Sequence, residues 1–156
     1  MMKSSRRSVL QAAGAGGLYA ALVAAGMLKP GTAEASEFEA AFKSKGVKGG
    51  LEAFGAAGAE KSDKVQLIAP DIAENGAVVP MGIASDLPNT EMMALLIEKN
   101  PNSLAGAYEV LPGMLPEVTM RVKMGQSSDV VALVKADGKF YMASKEVKVT
   151  LGGCGG

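Results

Sequence analysis

The sequence predicts an all-β fold, an immunoglobulin-like β-sandwich of about seven antiparallel strands spanning residues 64–151. Three observations predict it. Short apolar runs recur between turn signals from Val65 to Leu151. Val118, Met120, Val122 and Met124 alternate with Thr119, Arg121 and Lys123, which gives a strand with one buried and one solvated face. Asp137-Gly138 joins two strand-like runs and favours positive φ at both turn positions, a strong hairpin signal. A short helical segment and linker (residues 36–63) precede the sandwich, and a glycine-rich arm (residues 152–156) follows it.

Residues 1–35 form a segment of another kind. Met1 to Arg7 carries Lys3, Arg6 and Arg7, an apolar stretch runs from Val9 to Leu28, and Ala33-Glu34-Ala35 supplies a small-x-small cleavage site. Gly14, Gly16, Gly17, Gly26 and Gln11 dilute the apolar stretch, which makes an export signal a better reading than a membrane helix. The pair Arg6-Arg7 in Ser5-Arg6-Arg7-Ser8-Val9-Leu10-Gln11 matches a twin-arginine signal, with Val9 and Gln11 where phenylalanine and lysine are usual. General secretory signals also contain paired arginines, so the residues alone leave the route open.

The elements follow in order. From Glu37 to Phe54, Phe38, Ala41, Phe42, Val47, Leu51 and Phe54 recur at helical spacing, interrupted by Gly46 and Gly49-Gly50, which reads as a short helix, a turn and a second short helix. Gly55 to Asp63 is small and polar, a linker. Val65 to Ala69 starts the β pattern, Asp71 to Gly76 turns the chain, and Ala77 to Ala84 continues it. Pro80 and Gly82 suit an edge or bulged strand there. Glu91 to Glu98 is continuously apolar within, a composition that also permits helix. Lys99-Asn100-Pro101-Asn102 is a turn, Leu104 to Val110 a strand, and Leu111 to Pro116 a rigid corner before the alternating strand. Asp129 to Lys135 and Lys139 to Leu151 complete the sheet pattern. In the last run Phe140 and Met142 are even-numbered while Val147, Val149 and Leu151 are odd. Either a bulge near Ser144 resets the register, or two faces are buried, one of them against a partner.

Composition excludes several classes of function. Loss of residues 1–35 leaves 12 basic and 15 acidic groups, a net charge of about −3, with six aromatic residues and no basic patch, which argues against a nucleic-acid partner. There is no histidine, so the commonest general base and nitrogen metal ligand are both missing. The acidic residues are scattered without a catalytic pairing. Seven methionines remain after the cut, and without histidine or a second cysteine they read as packing residues rather than a copper site.

The one cysteine, Cys154, stands third from the end within Gly152-Gly153-Cys154-Gly155-Gly156. Four glycines deny it a packing neighbour and make the segment a flexible arm. Exported proteins usually pair or lose their cysteines, so an unpaired one implies a functional thiol or a disulfide to another chain. No histidine or adjacent charge is present to depress its pKa below the ordinary value of about 8.5, which suits a carrier better than a nucleophilic enzyme. A one-cysteine thiol peroxidase or sulfurtransferase and a disulfide-linked homodimer stay as alternatives.

The tail Val147 to Gly156, with Ile72-Ala73-Glu74-Asn75-Gly76, Val79-Pro80 and Glu98-Lys99-Asn100-Pro101, resembles the SoxY family, sulfur-carrier subunits of the periplasmic thiosulfate-oxidising Sox system. The resemblance implies an immunoglobulin-like sandwich, twin-arginine export to the periplasm and a heterodimer with a SoxZ-like subunit. It also implies a carrier cycle. The cytochrome SoxAX couples thiosulfate to Cys154 as an S-thiosulfonate, SoxB releases the terminal sulfonate as sulfate, and SoxCD, where present, oxidises the remaining sulfane sulfur. Cys154 is then the covalent attachment point, with Gly152, Gly153, Gly155 and Gly156 as its arm. The chain itself carries no catalytic residue, cofactor or metal in this reading.

Overall fold

A computed structural model describes residues 32–150. The expected export signal with Arg6 and Arg7 lies outside them apart from its last residues, and so does the whole 152–156 arm. The residues to Ala35 and those from Ser36 onward form separate units, and the sandwich belongs to the second.

Two helices, α1 (Thr32–Lys43) and α2 (Gly46–Ala53), precede nine strands: β1 (Glu60–Lys61), β2 (Val65–Ile68), β3 (Ile72–Ala73), β4 (Val79–Ser85), β5 (Thr90–Ile97), β6 (Leu104–Glu109), β7 (Glu117–Val122), β8 (Ser128–Ala136) and β9 (Lys139–Val149). One sheet has the order β1-β9-β8-β5-β6 with β3 also on β9, and the other has the order β2-β4-β7. The expected β-sandwich is present. Its seven longer strands pair antiparallel, while β1 and β3, two residues each, pair parallel with β9. Pairs this short have no alternation to read. They fall in stretches whose composition says linker and turn.

Val79, Met81 and Ile83 of β4 face Met93, Leu95 and Ile97 of β5 and Val130, Ala132 and Val134 of β8 across the sandwich core. A second apolar layer lies on the other face of the larger sheet, where Met92, Ala94, Leu96, Val131 and Leu133 pack with Ala41 and Phe54 of the helical segment. The run Met92–Ile97 is therefore a central strand buried on both faces, which hides the period of two and explains why its composition also fits a helix. Full burial of a side chain such as Leu95 or Ile97 contributes about 1.5–3 kcal/mol. The ion pairs, Lys43–Glu39, Lys48–Glu52, Lys135–Glu91 and Lys145–Asp71, are largely exposed, and each is worth about 0–1 kcal/mol. Burial dominates.

The last strand settles the parity conflict. β9 pairs with β8 from Ser128↔Val147 to Ala136↔Lys139 without a register shift, so there is no bulge at Ser144. Tyr141, Ala143, Val147 and Val149 join the sandwich core, and Phe140 and Met142 join the layer beneath the helices. Apolar residues of β9 thus pack on both faces, as one alternative required, and Phe140 and Met142, half-buried, lie against this chain's own helical segment.

Of the two expected glycine breaks one is kept: α1 ends at Lys43 and α2 starts at Gly46, whose φ of +68 suits glycine. Gly49-Gly50 do not break α2, because a Cβ at Gly50 would stand 2.6 Å from Leu96 Cδ2 and the residue serves close approach to the sheet. Pro80 sits in the middle strand of the smaller sheet. β2 pairs only as far as Gly82, so Pro80 has β7 on one side and no strand on the other, a local edge that tolerates a residue without an N–H.

Candidate functional site

Cys154 and the glycines Gly152, Gly153, Gly155 and Gly156 lie outside the described residues. What is described is the point from which they leave, and it is unusually well fastened. The N–H of Lys148 donates to Asp71 O at 3.0 Å and that of Thr150 to Ala73 O at 3.1 Å, the bonds of the parallel β3–β9 pair. On that same side Thr150 Oγ1 donates to Glu74 O at 3.3 Å, and from the other side Val149 N–H donates to Ser127 Oγ at 2.9 Å. The end of β9 is thus tied on both edges up to Thr150.

Asn75 and Gly76 build the turn that holds β3 there. Asn75 Oδ1 accepts Ala77 N–H at 2.9 Å and its carbonyl accepts Val78 N–H at 3.3 Å, an Asx turn. Gly76 is buried, its carbonyl accepts Met124 N–H at 2.7 Å, and a Cβ on it would meet Met124 O at 2.4 Å and Val149 Cγ1 at 2.8 Å. The glycine is required by close backbone approach rather than by φ. Ile72 to Gly76 is one of the segments on which the family resemblance rests, and it holds the end of β9 as far as Thr150. The segment Glu98-Lys99-Asn100 belongs to the same end. Asn100 Nδ2 donates to Lys123 O at 2.8 Å, Lys99 N–H to Ser128 Oγ at 3.0 Å, and Glu98 Oε2 accepts Val47 N–H at 2.5 Å at the start of α2. Sequence reasoning named these segments as turns and not as supports of the end of β9. Ser127 carried no signal at all.

Lys145 Nζ lies 2.8 Å from Asp71 Oδ1 and donates to Ala69 O at 2.8 Å. The hydrogen bond from Lys145, and then its charge, hold the Asp71 carboxyl below its ordinary value. A depressed carboxylate adds stability above its unfolded pKa and loses it as pH falls through the folded one, so this contribution is present at neutral pH and disappears on acidification. Lys145→Met is expected to return Asp71 to an ordinary carboxylate titration, read by NMR of the side-chain carboxyl, with little effect on neutral-pH stability because Asp71 is fully exposed.

Cys154 is four positions beyond Thr150, so chain length alone keeps it within about 14 Å of Thr150. A groove of about 660 Å³, lined by Leu87, Glu91, Val110, Leu111 and Met114 among others, is at the opposite end, where Glu91 accepts Gly138 N–H. β9 runs from Lys139 beside that groove to Val149, about 33 Å at 3.3 Å per residue. Cys154 cannot reach it. Among the described residues no group of three or more histidine, cysteine or acidic side chains is placed to hold a metal ion.

The described β-sandwich ends on a strand clamped as far as Thr150, and the chain's one thiol follows four positions later in the sequence. The chain belongs to the sulfur oxidation protein SoxY family, whose model matches residues 51–154, a span that runs from within α2 to the cysteine itself. It is similar to the solved structure of the sulfur carrier protein SoxY from Chlorobium limicola f thiosulfatophilum, with 39% identity over 59% of this chain and 84% of that one and a TM-score of 0.55. A superoxide reductase (neelaredoxin) from Ignicoccus hospitalis shares the fold alone, with 20% identity over 56% of this chain and 80% of that one and a TM-score of 0.50. No curated protein matches the chain.

Proposed function

We propose that this chain is a periplasmic sulfur carrier, not an enzyme, that holds thiosulfate-derived sulfur covalently on Cys154 and presents it to the enzymes of the Sox system. The observation that carries the reading is the clamped end of β9 at Thr150, four residues before the chain's one cysteine, in a member of the SoxY family. Residues 1–35 are the export signal, with Arg6 and Arg7 directing the twin-arginine route, and residues 152–156 are the flexible arm. A SoxZ-like subunit completes the heterodimer.

Loading forms one S–S bond. The Cys154 thiol and thiosulfate give the S-thiosulfonate, one proton and two electrons, with the cytochrome SoxAX as electron acceptor. Hydrolysis by SoxB then breaks the bond between the outer sulfur and the sulfonate, and water supplies the oxygen of the departing sulfate. Cys154 is left as a persulfide for SoxCD or another acceptor. No step asks a base or metal of this chain, which agrees with the absence of histidine.

Incubating the processed heterodimer with thiosulfate and SoxAX is expected to add a single thiosulfate-derived group per chain by intact mass. Alkylation of Cys154 should show a midpoint close to the ordinary thiol value of about 8.5, whereas a midpoint far below 8 would indicate an activated catalytic thiol. Substituting proline for both Gly152 and Gly153 should leave the melting temperature unchanged and slow sulfur turnover by about tenfold or more, because a stiffened arm misplaces the sulfur in each partner's active site. Unchanged turnover in that variant would show that arm flexibility is not needed.

A further inference from the structure

β7 closes one side of the smaller sheet: it pairs with β4 and, among the described residues, with no other strand. Ser85 N–H donates to Pro116 O at 3.0 Å just before the β4–β7 register, and Met124 N–H donates to Gly76 O at 2.7 Å just after it. Bonding alternates along an antiparallel strand, so the even-numbered Val118, Met120 and Val122 are the residues that bond to β4. The N–H and C=O groups of Thr119 and Arg121, and the carbonyl of Glu117, therefore point out along the open edge. Glu117 N–H is used in the preceding turn, donating to Leu115 O at 2.9 Å.

Side chains alternate as well. Glu117, Thr119 and Arg121 form an exposed row, while Val118 and Met120 are half-buried against the core. Opposite the exposed row β4 places Ala84, Gly82 and Pro80, which offer the two charges nothing. Among the described residues neither Glu117 nor Arg121 has an ion-pair partner.

We propose that β7 pairs edge to edge with β7 of a second copy of this chain, antiparallel about a two-fold axis at Thr119. The strand is self-complementary in that register: Glu117 of each copy stands opposite Arg121 of the other, on both sides of a central Thr119–Thr119 pair. The hydrogen-bonding phase agrees. Each Thr119 N–H donates to the other Thr119 O, and each Arg121 N–H donates to the other copy's Glu117 O. On the inner row Val118 meets Met120, beside Tyr108, which is 38% exposed and has its hydroxyl 3.9 Å from Met120 Sδ. An axis through the strand closes the assembly at two copies, whereas an unmatched edge would go on recruiting strands. β6, the edge strand of the larger sheet, carries Glu109 as its one charge and has no such match. The pairing does not depend on the carrier reading. With a SoxZ-like subunit bound, it joins two heterodimers.

The test uses the processed chain carrying Cys154→Ser, so that no tail disulfide contributes, with and without a SoxZ-like subunit. Mass is read by light scattering over a concentration series reaching the millimolar range, and melting temperature checks the fold of each variant. A seam confined to Glu117–Arg121 is smaller than a standard interface, so doubling of the mass is expected at micromolar concentration or above. Glu117→Arg and Arg121→Glu each set two like-charge pairs across the axis and should weaken association about tenfold or more. An equimolar mixture of the two variants should associate as the parent does, because every pair across the axis is again opposite in sign. The double variant Glu117→Arg, Arg121→Glu should match the parent within about threefold for the same reason. Thr119→Pro removes the central outward N–H and none of the bonds to β4, and it should abolish the doubling. A parent that keeps the mass of one chain, or of one heterodimer, throughout both series would overturn the proposal. So would a mixture that stays apart, single variants that associate as the parent does, or charge variants that release the SoxZ-like subunit, since the edge is then the subunit interface.

Discussion

Replacing Cys154 by serine is expected to abolish adduct formation and reduce sulfur turnover by the Sox enzymes to the background without the carrier. The chain contains no second thiol to take over, and a serine hydroxyl can neither be coupled oxidatively to thiosulfate nor hold a persulfide. The fold should be indifferent. Every residue of both apolar layers lies between residues 38 and 149, well before the substituted one, so the melting temperature should move by no more than an ordinary surface change of about 0.5 kcal/mol allows. A melting scan and an intact-mass measurement on the same sample check both halves, and a persistent adduct in the variant refutes the assignment of the thiol.

Gly76→Val is expected to be the most damaging single change at the root of the arm. Its new Cβ would overlap Met124 O, a backbone atom that cannot rotate away, and would press on Val149 Cγ1 at 2.8 Å, while the Gly76 carbonyl has to keep its bond from Met124 N–H. Overpacking against fixed backbone costs about 1–3 kcal/mol and more where nothing can yield, so we expect a loss near 3 kcal/mol. For a domain of this size that is a fall of about 10 °C in melting temperature. The bonds from Lys148 and Thr150 to β3 should loosen with it, so turnover should fall below what the stability loss alone explains. Gly125→Ala is the control: nothing lies within 4 Å of its added Cβ and its φ is unrestrictive, so it should stay within about 0.5 kcal/mol of the parent. Equal stability of the two variants would contradict the role given to Gly76.

The sandwich was legible in the sequence where one face of a strand is wet. Val118 to Met124 alternate because the outer face of β7 meets water, and Asp137-Gly138 marks its hairpin because Asp137 and Gly138 do take positive φ. It was ambiguous where both faces are dry, as at Met92–Ile97, and it was invisible where pairing is two residues long, as at β1 and β3. The conflict of parity in β9 leaves two alternatives in the sequence, a bulge near Ser144 or two buried faces with one against a partner; the strand has no bulge, and its even-numbered apolar residues pack on this chain's own helical segment. The 36–63 segment looks peripheral in sequence, and its contact with Phe140 and Met142 is set by long-range packing that no local pattern encodes.

The site divides in the same way. The candidate residue, Cys154, is marked in the sequence by composition and position, a lone thiol among glycines. Its support is not. Asn75 and Gly76 read in the sequence only as part of a turn and of the family resemblance, and the reason for Gly76, contact with Met124 and Val149 some fifty and seventy residues away, exists only in three dimensions. The hydroxyl of Ser127, which caps the strand end through Val149 N–H, is one serine among many in the sequence.

The central claim is that sulfur is held on Cys154 and nowhere else. Its most direct test is peptide mapping by mass spectrometry of the heterodimer loaded with isotopically labelled thiosulfate under non-reducing conditions. The label is expected on the C-terminal peptide containing Cys154, one group per chain, released by a reducing thiol and converted to a persulfide with labelled sulfate in solution once SoxB is added. Label on any other peptide, or loading that leaves Cys154 free to be alkylated, would contradict the account.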